Sequence, residues 1–363
     1  MKRITVLVIM FLLFGQIVVE GKDDFQVQLD FDEINSSLSD ISHTKINYET
    51  ILEYIKTADF KGVLSYFGTY LTSGINNMLV YHKKIMFTLL ALCMVSVLIN
   101  MFSDGEDYNI NDKLLIFFTS GLLINLYIYL YNLAYETVNH ILSFMHSTLP
   151  VYFGITAVLS EKLPLSVYSV FVVFVTIFQW LAVNIIFPLL SALFLCTILS
   201  GIYSDIDLKS MRKFITGIIR TILGLYTTFF ILGLKITQTV TYSTQKLVLT
   251  GIQYTVSKGV PVIGGFLSET AETLFSSIML LHNSVGVSSI LVIIFLLFLP
   301  FITVFFVSVI IKFMCALISP FSGGKILEII SSVGDCISEL SVVLLCAAVT
   351  FVIAISTEFL TVR

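Results

Sequence analysis

Five stretches of this chain contain no Asp, Glu, Lys or Arg: residues 85–103, 114–135, 163–204, 273–311 and 340–357. A sixth, 221–234, reaches back to Phe214 if the Arg220 side chain snorkels from near a helix end. Stretches this apolar, dominated by Leu, Ile, Val and Phe, match the ~20 residues a helix needs to cross a hydrocarbon layer of roughly 30 Å. Backbone groups in lipid must be satisfied within the segment, and no two-residue alternation of apolar and polar side chains suggests barrel strands. The sequence therefore predicts an all-α, polytopic membrane protein.

Composition supports this. Hydrophobic residues make up 57% of the 363 positions and charged residues 12%, about half the ~25% usual for soluble domains. Residues 22–61 hold nine acids against four bases, whereas residues 62–363 balance at zero. No basic tail or patch stands ready to neutralise phosphates along a duplex, so nucleic-acid binding is not expected. At the N-terminus, Lys2 and Arg3 precede an apolar run from Ile4 to Val19, and the small residue Gly21 follows. This is the pattern of a signal peptide over residues 1–21, since the run is short for a full crossing. The expected organisation is then a short acidic exported segment over 22–84 and a multi-span membrane domain over 85–363. Phe60, Val63, Leu64, Phe67, Leu71, Ile75, Met78 and Leu79 recur at helical spacing within the exported segment, which predicts an amphipathic helix in the interface before the first crossing.

The 163–204 stretch would make a helix of ~63 Å, about twice the layer. Pro188 lies inside it, so it forms either one broken crossing or a hairpin of two short ones. With one crossing and 22–84 outside, the Lys209, Arg212 and Lys213 cluster falls in the cytoplasm, as the positive-inside tendency favours. Six crossings are expected on that count, within a range of six to eight.

No zinc-protease, nucleophile-elbow, phosphate-loop or dinucleotide signature occurs, and the five histidines are dispersed. Ser332-Val333-Gly334-Asp335 has no second aspartate in an apolar span to make a catalytic pair. Neither an enzyme nor a cofactor or metal site is expected. The five cysteines read as small buried hydrophobes. Two segments stand out. Asp335, Glu339, Cys346, Thr350 and Ala354 share one face of the last helix, first acidic, then small. That face is either a close-packing seam or the wall of an aqueous conduit. Farther upstream, Pro261, Gly264 and Gly265 break the chain before Glu269 and Glu272 open a new helix. The acids there either complement the helix dipole or present a partner-contact surface.

Four extended stretches carry a family resemblance: LSFMHSTLPVYFGITAVLS around Pro150, IIFPLLSALFLCTILS, GVPVIGGFLSETAETLFSSIMLLHNSVGV, and ISPFSGGKILEIISSVGDCISELSVVLL. In wording and order they resemble the stage III sporulation protein AE family of endospore-forming bacteria, over roughly residues 60–363. The resemblance implies a multi-pass protein of the mother-cell membrane around the forespore. It implies a place in the channel complex formed with the other stage III sporulation A-operon membrane proteins and, through them, stage II sporulation protein Q. A stand-alone small-solute permease is the alternative, for which charges at mid-membrane or broken half-helices around a site would be expected.

Overall fold

The computed structural model describes the backbone of residues 47–102, 107–159, 164–203, 208–256, 264–320 and 325–359. Side chains at 96–113, 156–170, 236–282 and 354–359, and at scattered positions from 73 to 93, lie outside the described residues, with residue 153 and Lys325. Among the described residues eight α-helices follow one another: α1 (Tyr48–Lys56), α2 (Phe60–Phe102), α3 (Asp107–Leu159), α4 (Pro164–Leu181), α5 (Phe187–Ile202), α6 (Lys209–Val256), α7 (Gly264–Ile318) and α8 (Lys325–Phe359). No strand occurs among the described residues.

Among the described residues, five helical segments are long and apolar enough to cross a membrane: Leu114–Tyr152, Phe171–Ile202, Lys209–Lys235, Asn283–Ile318 and Ile326–Ile353. They correspond to five of the six expected crossings. The sixth, 85–103, lies in α2, where most side chains of that stretch are outside the described residues. Residues 1–21, read as a signal peptide, are outside them as well.

The 163–204 stretch does not fold back. Its described residues run as helix from Pro164 to Ile202 through a π-helical turn at Ala182–Ile186, and the residues flanking that turn keep right-handed helical φ and ψ. The wide turn lies just ahead of Pro188, and the amide of Phe187 reaches back five residues to the Ala182 carbonyl. A proline at 188 has no amide to donate and crowds the preceding turn. One extra residue in that turn gives the ring room without breaking the rod. The Asn184 side chain adds a donor to the Trp180 carbonyl at 2.8 Å.

α8 is the axis of the bundle. It packs against α2, α3, α5, α6 and α7, and 67% of its span is buried, against 28% for the peripheral α6 span. Large apolar side chains point outward from the rim, among them Phe117, Phe118, Trp180, Phe214, Phe229 and Phe313. A soluble protein would not expose such a belt, whereas lipid accepts it. Between helices, a core of Leu, Ile and Val is joined by aromatic and polar contacts: Tyr127 stacks on Phe194 at 3.8 Å and its hydroxyl donates to the Leu190 carbonyl at 2.9 Å. Ser308 on α7 donates to the Gly334 carbonyl on α8 at 2.8 Å. Because lipid gives no hydrophobic drive for helices to associate, such interhelical hydrogen bonds and close packing hold the bundle.

α1 is anchored by Tyr48, which is fully buried between Phe144 of α3 and the Val285–Ser289 turn of α7. Burial pushes its phenol above the usual tyrosine range. Ala58 turns the chain with a φ of 53°, after which Asp59 caps the amide of Gly62 at 2.9 Å. α2 then continues unbroken from Phe60 to Phe102, so the amphipathic stretch and the 85–103 stretch are one helix. Its early turns lie on α7, where Phe67 stacks on Phe295 at 4.6 Å.

An ion-paired cleft around the central helix

The sequence placed Asp335 and Glu339 at the end of the last crossing, because the charge-free stretch begins at residue 340. The helix begins earlier. α8 starts at Lys325, and its apolar span opens at Ile326, so both acids lie inside the span. Carboxylates can sit there only with partners, and the bundle supplies them from two neighbouring helices. Glu339, whose side chain is 5% exposed, is paired with Arg220 of α6. The guanidinium donates from Nε to Oε2 at 3.3 Å and from Nη2 to Oε1. Asp335, largely exposed, pairs with Lys312 of α7 at 2.9 Å. A turn or two earlier, Glu328 pairs with Lys209 of α6 at 2.7 Å.

These pairs surround a cavity of about 550 Å³. Its cationic wall is Lys209, Arg212, Lys213 and Arg220 from the first turns of α6, with Lys312 opposite. Asp335 and Glu339 line the α8 side, with the hydroxyls of Thr216, Ser332 and Ser338 between the charges. At the floor, Thr197 of α5 meets the Cys336 thiol at 3.2 Å. The spacing follows from the sequence. Glu328, Asp335 and Glu339 fall seven and four apart, on one face of a helix, as do Lys209, Arg212, Lys213 and Arg220 at three-, four- and seven-residue steps.

Farther along the same face of α8, Cys346 meets the Thr227 hydroxyl of α6 at 3.3 Å, and the buried Thr350 donates to its own helix at the Cys346 carbonyl. The structure thus brings Asp335 against α7 and Glu339 and Cys346 against α6, with Thr350 buried on its own helix. Ala354 has its side chain outside the described residues. So do Gly264, Gly265, Glu269 and Glu272 at the start of α7, and Pro261 precedes that helix in a segment that is not described. Among the described residues no group of three or more His, Cys, Asp and Glu side chains converges as a metal site.

Arg220 is the residue the sequence reading undervalued. Taken as a cation snorkelling from a helix end, it instead reaches across to Glu339. The signal was present: one arginine interrupts a long apolar stretch, and one glutamate borders another. Lys312 gave no such signal, because a lysine that ends a charge-free stretch is ordinary near a membrane boundary.

Comparison with known proteins gives a consistent family. A family model described as stage III sporulation protein AE matches residues 46–359. The chain is 22% identical over 222 residues to the stage III sporulation protein AE of Bacillus subtilis (strain 168). That alignment takes in 61% of this chain and 54% of the relative, so it spans about half the relative's length. No solved structure matches the chain.

Proposed function

Because this chain belongs to the stage III sporulation protein AE family, a family of sporulation proteins, we propose that it is a membrane core component of the channel complex linking mother cell and forespore. In this reading it works by assembly rather than by chemistry. It sits in the mother-cell membrane and joins the other stage III sporulation A-operon proteins, and through them stage II sporulation protein Q. Residues 22–84 face the intermembrane space, and residues 203–213, which run into the first turn of α6, face the cytoplasm.

The observation that carries the proposal is the family match across nearly the whole helical body, 46–359. The use of charge in that body agrees with it. The carboxylates of α8 at Glu328, Asp335 and Glu339 are each committed to a cation on another helix, which suits a scaffold that holds helices in register. General acid–base work needs a carboxyl or imidazole free to exchange protons with a substrate. A stand-alone permease is the second reading, favoured by the π-helical turn beside Pro188, because such turns recur at functional breaks in helices.

Deleting the gene in its sporulating host tests the proposal. Vegetative growth should be unchanged, and sporulation should arrest after engulfment with late forespore expression lost. A deletion strain with normal heat-resistant spore yield would overturn it.

A further inference from the structure

The cleft around α8 carries more positive charge than its ion pairs use. Five cations line it against two carboxylates, and Glu328 at its edge brings the acids to three. The three ion pairs engage Lys209, Arg220 and Lys312, which leaves Arg212 and Lys213 outside them. Among the described residues, Arg212 Nε is buried and has no hydrogen-bond partner. A buried guanidinium N–H without an acceptor is costly, so this arrangement suits an acceptor that is a ligand rather than a side chain. Three hydroxyls, on Thr216, Ser332 and Ser338, share the same walls. Guanidinium forks, ammonium groups and hydroxyls together match the oxygens of a phosphate. A cavity of about 550 Å³ has room for a phosphate with a small polyol attached, within the usual range for ligand sites.

Exposed apolar side chains neighbour the cleft's cations in sequence. Met211 and Phe214 flank the two free-standing cations in sequence and are 52% and 68% exposed, and Phe313, beside Lys312, is 61% exposed. We propose that this cleft binds a phosphate group, carried by the headgroup of an anionic phospholipid whose chains lie over Met211, Phe214 and Phe313. Arg212 and Lys213 are its principal contacts. The bound lipid neutralises their charge at the junction of α5, α6, α7 and α8, and it ties the peripheral α6 to the central helix.

The test uses the full chain in nanodiscs of phosphatidylcholine, then of phosphatidylcholine with phosphatidylglycerol, with thermal unfolding and native mass spectrometry as readouts. Phosphatidylglycerol should raise the unfolding midpoint and remain bound in the gas phase. Arg212→Gln with Lys213→Gln should weaken its retention about 30-fold, as expected for two cations near an anionic headgroup. Lys61→Gln, which removes a cation far from the cleft, should leave retention unchanged, and Arg212→Lys with Lys213→Arg should keep most of it. Adding inorganic phosphate to pure phosphatidylcholine discs separates the sources. A shift with phosphate and none with phosphatidylglycerol would uphold the phosphate site and overturn the lipid. Absence of any response in the wild-type chain would overturn the proposal without recourse to variants. So would equal retention in the glutamine double variant, or a response to polyglutamate alone.

Discussion

Arg220→Gln should be far more damaging than Glu339→Gln, although the two side chains form one ion pair. The difference lies in burial: the Glu339 side chain is 5% exposed and that of Arg220 is 64% exposed. Removing the guanidinium strips two charge-assisted hydrogen bonds from the carboxylate, each worth about 1.5–3 kcal/mol, and leaves a buried anion on the central helix. The hydroxyls and cations lining the same cleft recover part of that loss, so the expected cost is about 3 kcal/mol, at the low end for breaking a buried pair. Glu339→Gln leaves an arginine that still shares the cleft with Asp335, and the new amide oxygen still accepts a bond. Its cost should be about 1 kcal/mol. Replacing both, Arg220→Met with Glu339→Met, should return stability to within about 1 kcal/mol of the wild type, because no charge is then left alone. The assay is reversible unfolding in mixed micelles by titration with a denaturing detergent. Equal losses in the two single variants, or additive losses in the double variant, would show that the pair does not bear on the bundle in this way.

Three further outcomes are expected. A Cβ at Gly201 would lie 2.5 Å from Cγ1 of Ile329, so Gly201→Ala should cost about 1–3 kcal/mol by pushing α5 from α8; at Gly224, where a Cβ meets nothing within 4 Å, the same change should stabilise by about 0.5–1 kcal/mol, and the opposite ranking by detergent titration would refute the close approach. Tyr48→Ala should free α1 from the α3–α7 groove at a cost of about 3 kcal/mol, read as protease cleavage within residues 47–59, whereas Tyr48→Phe should cost about 1 kcal/mol; equal protection of all three proteins would contradict the anchoring role. On the α8 face, Asp335→Asn should be mild, within about 1 kcal/mol, because the Lys312 pair is exposed, while Ala354→Leu should lower spore yield more if that face is a close seam; a failing, well-expressed Asp335→Asn beside a tolerant Ala354→Leu would point to a wet conduit.

The membrane class was legible from charge alone, since stretches such as 114–135 and 273–311 leave no other soluble or barrel solution. Helix ends were harder to place. Charges mark a boundary only when they meet water, and in α8 they meet Arg220 and Lys312, so the span starts at Ile326 rather than at residue 340. Pro188 announced a distortion but not its form, because a π-helical turn and a hairpin satisfy the same local constraint. The pairing of distant charges is a property of the packed bundle. Asp335 and Glu339 could be put on one face by counting, but Lys312 and Arg220 could be assigned to them only once α6 and α7 were seen beside α8. Gly201, where an added Cβ would meet Ile329 of α8, carried no signal in the sequence, because a glycine in an apolar helix does not reveal which neighbour it meets.

The most direct test of the proposed role is to tag the chain at its chromosomal locus, crosslink cells after engulfment, purify it from the membrane fraction and identify what comes with it. A core component of a channel complex should bring down the other stage III sporulation A-operon membrane proteins in reproducible ratio, with stage II sporulation protein Q linked through them, and none of these from vegetative cells expressing the same tagged chain. Recovery of the tagged chain alone from cells that sporulate normally would contradict it.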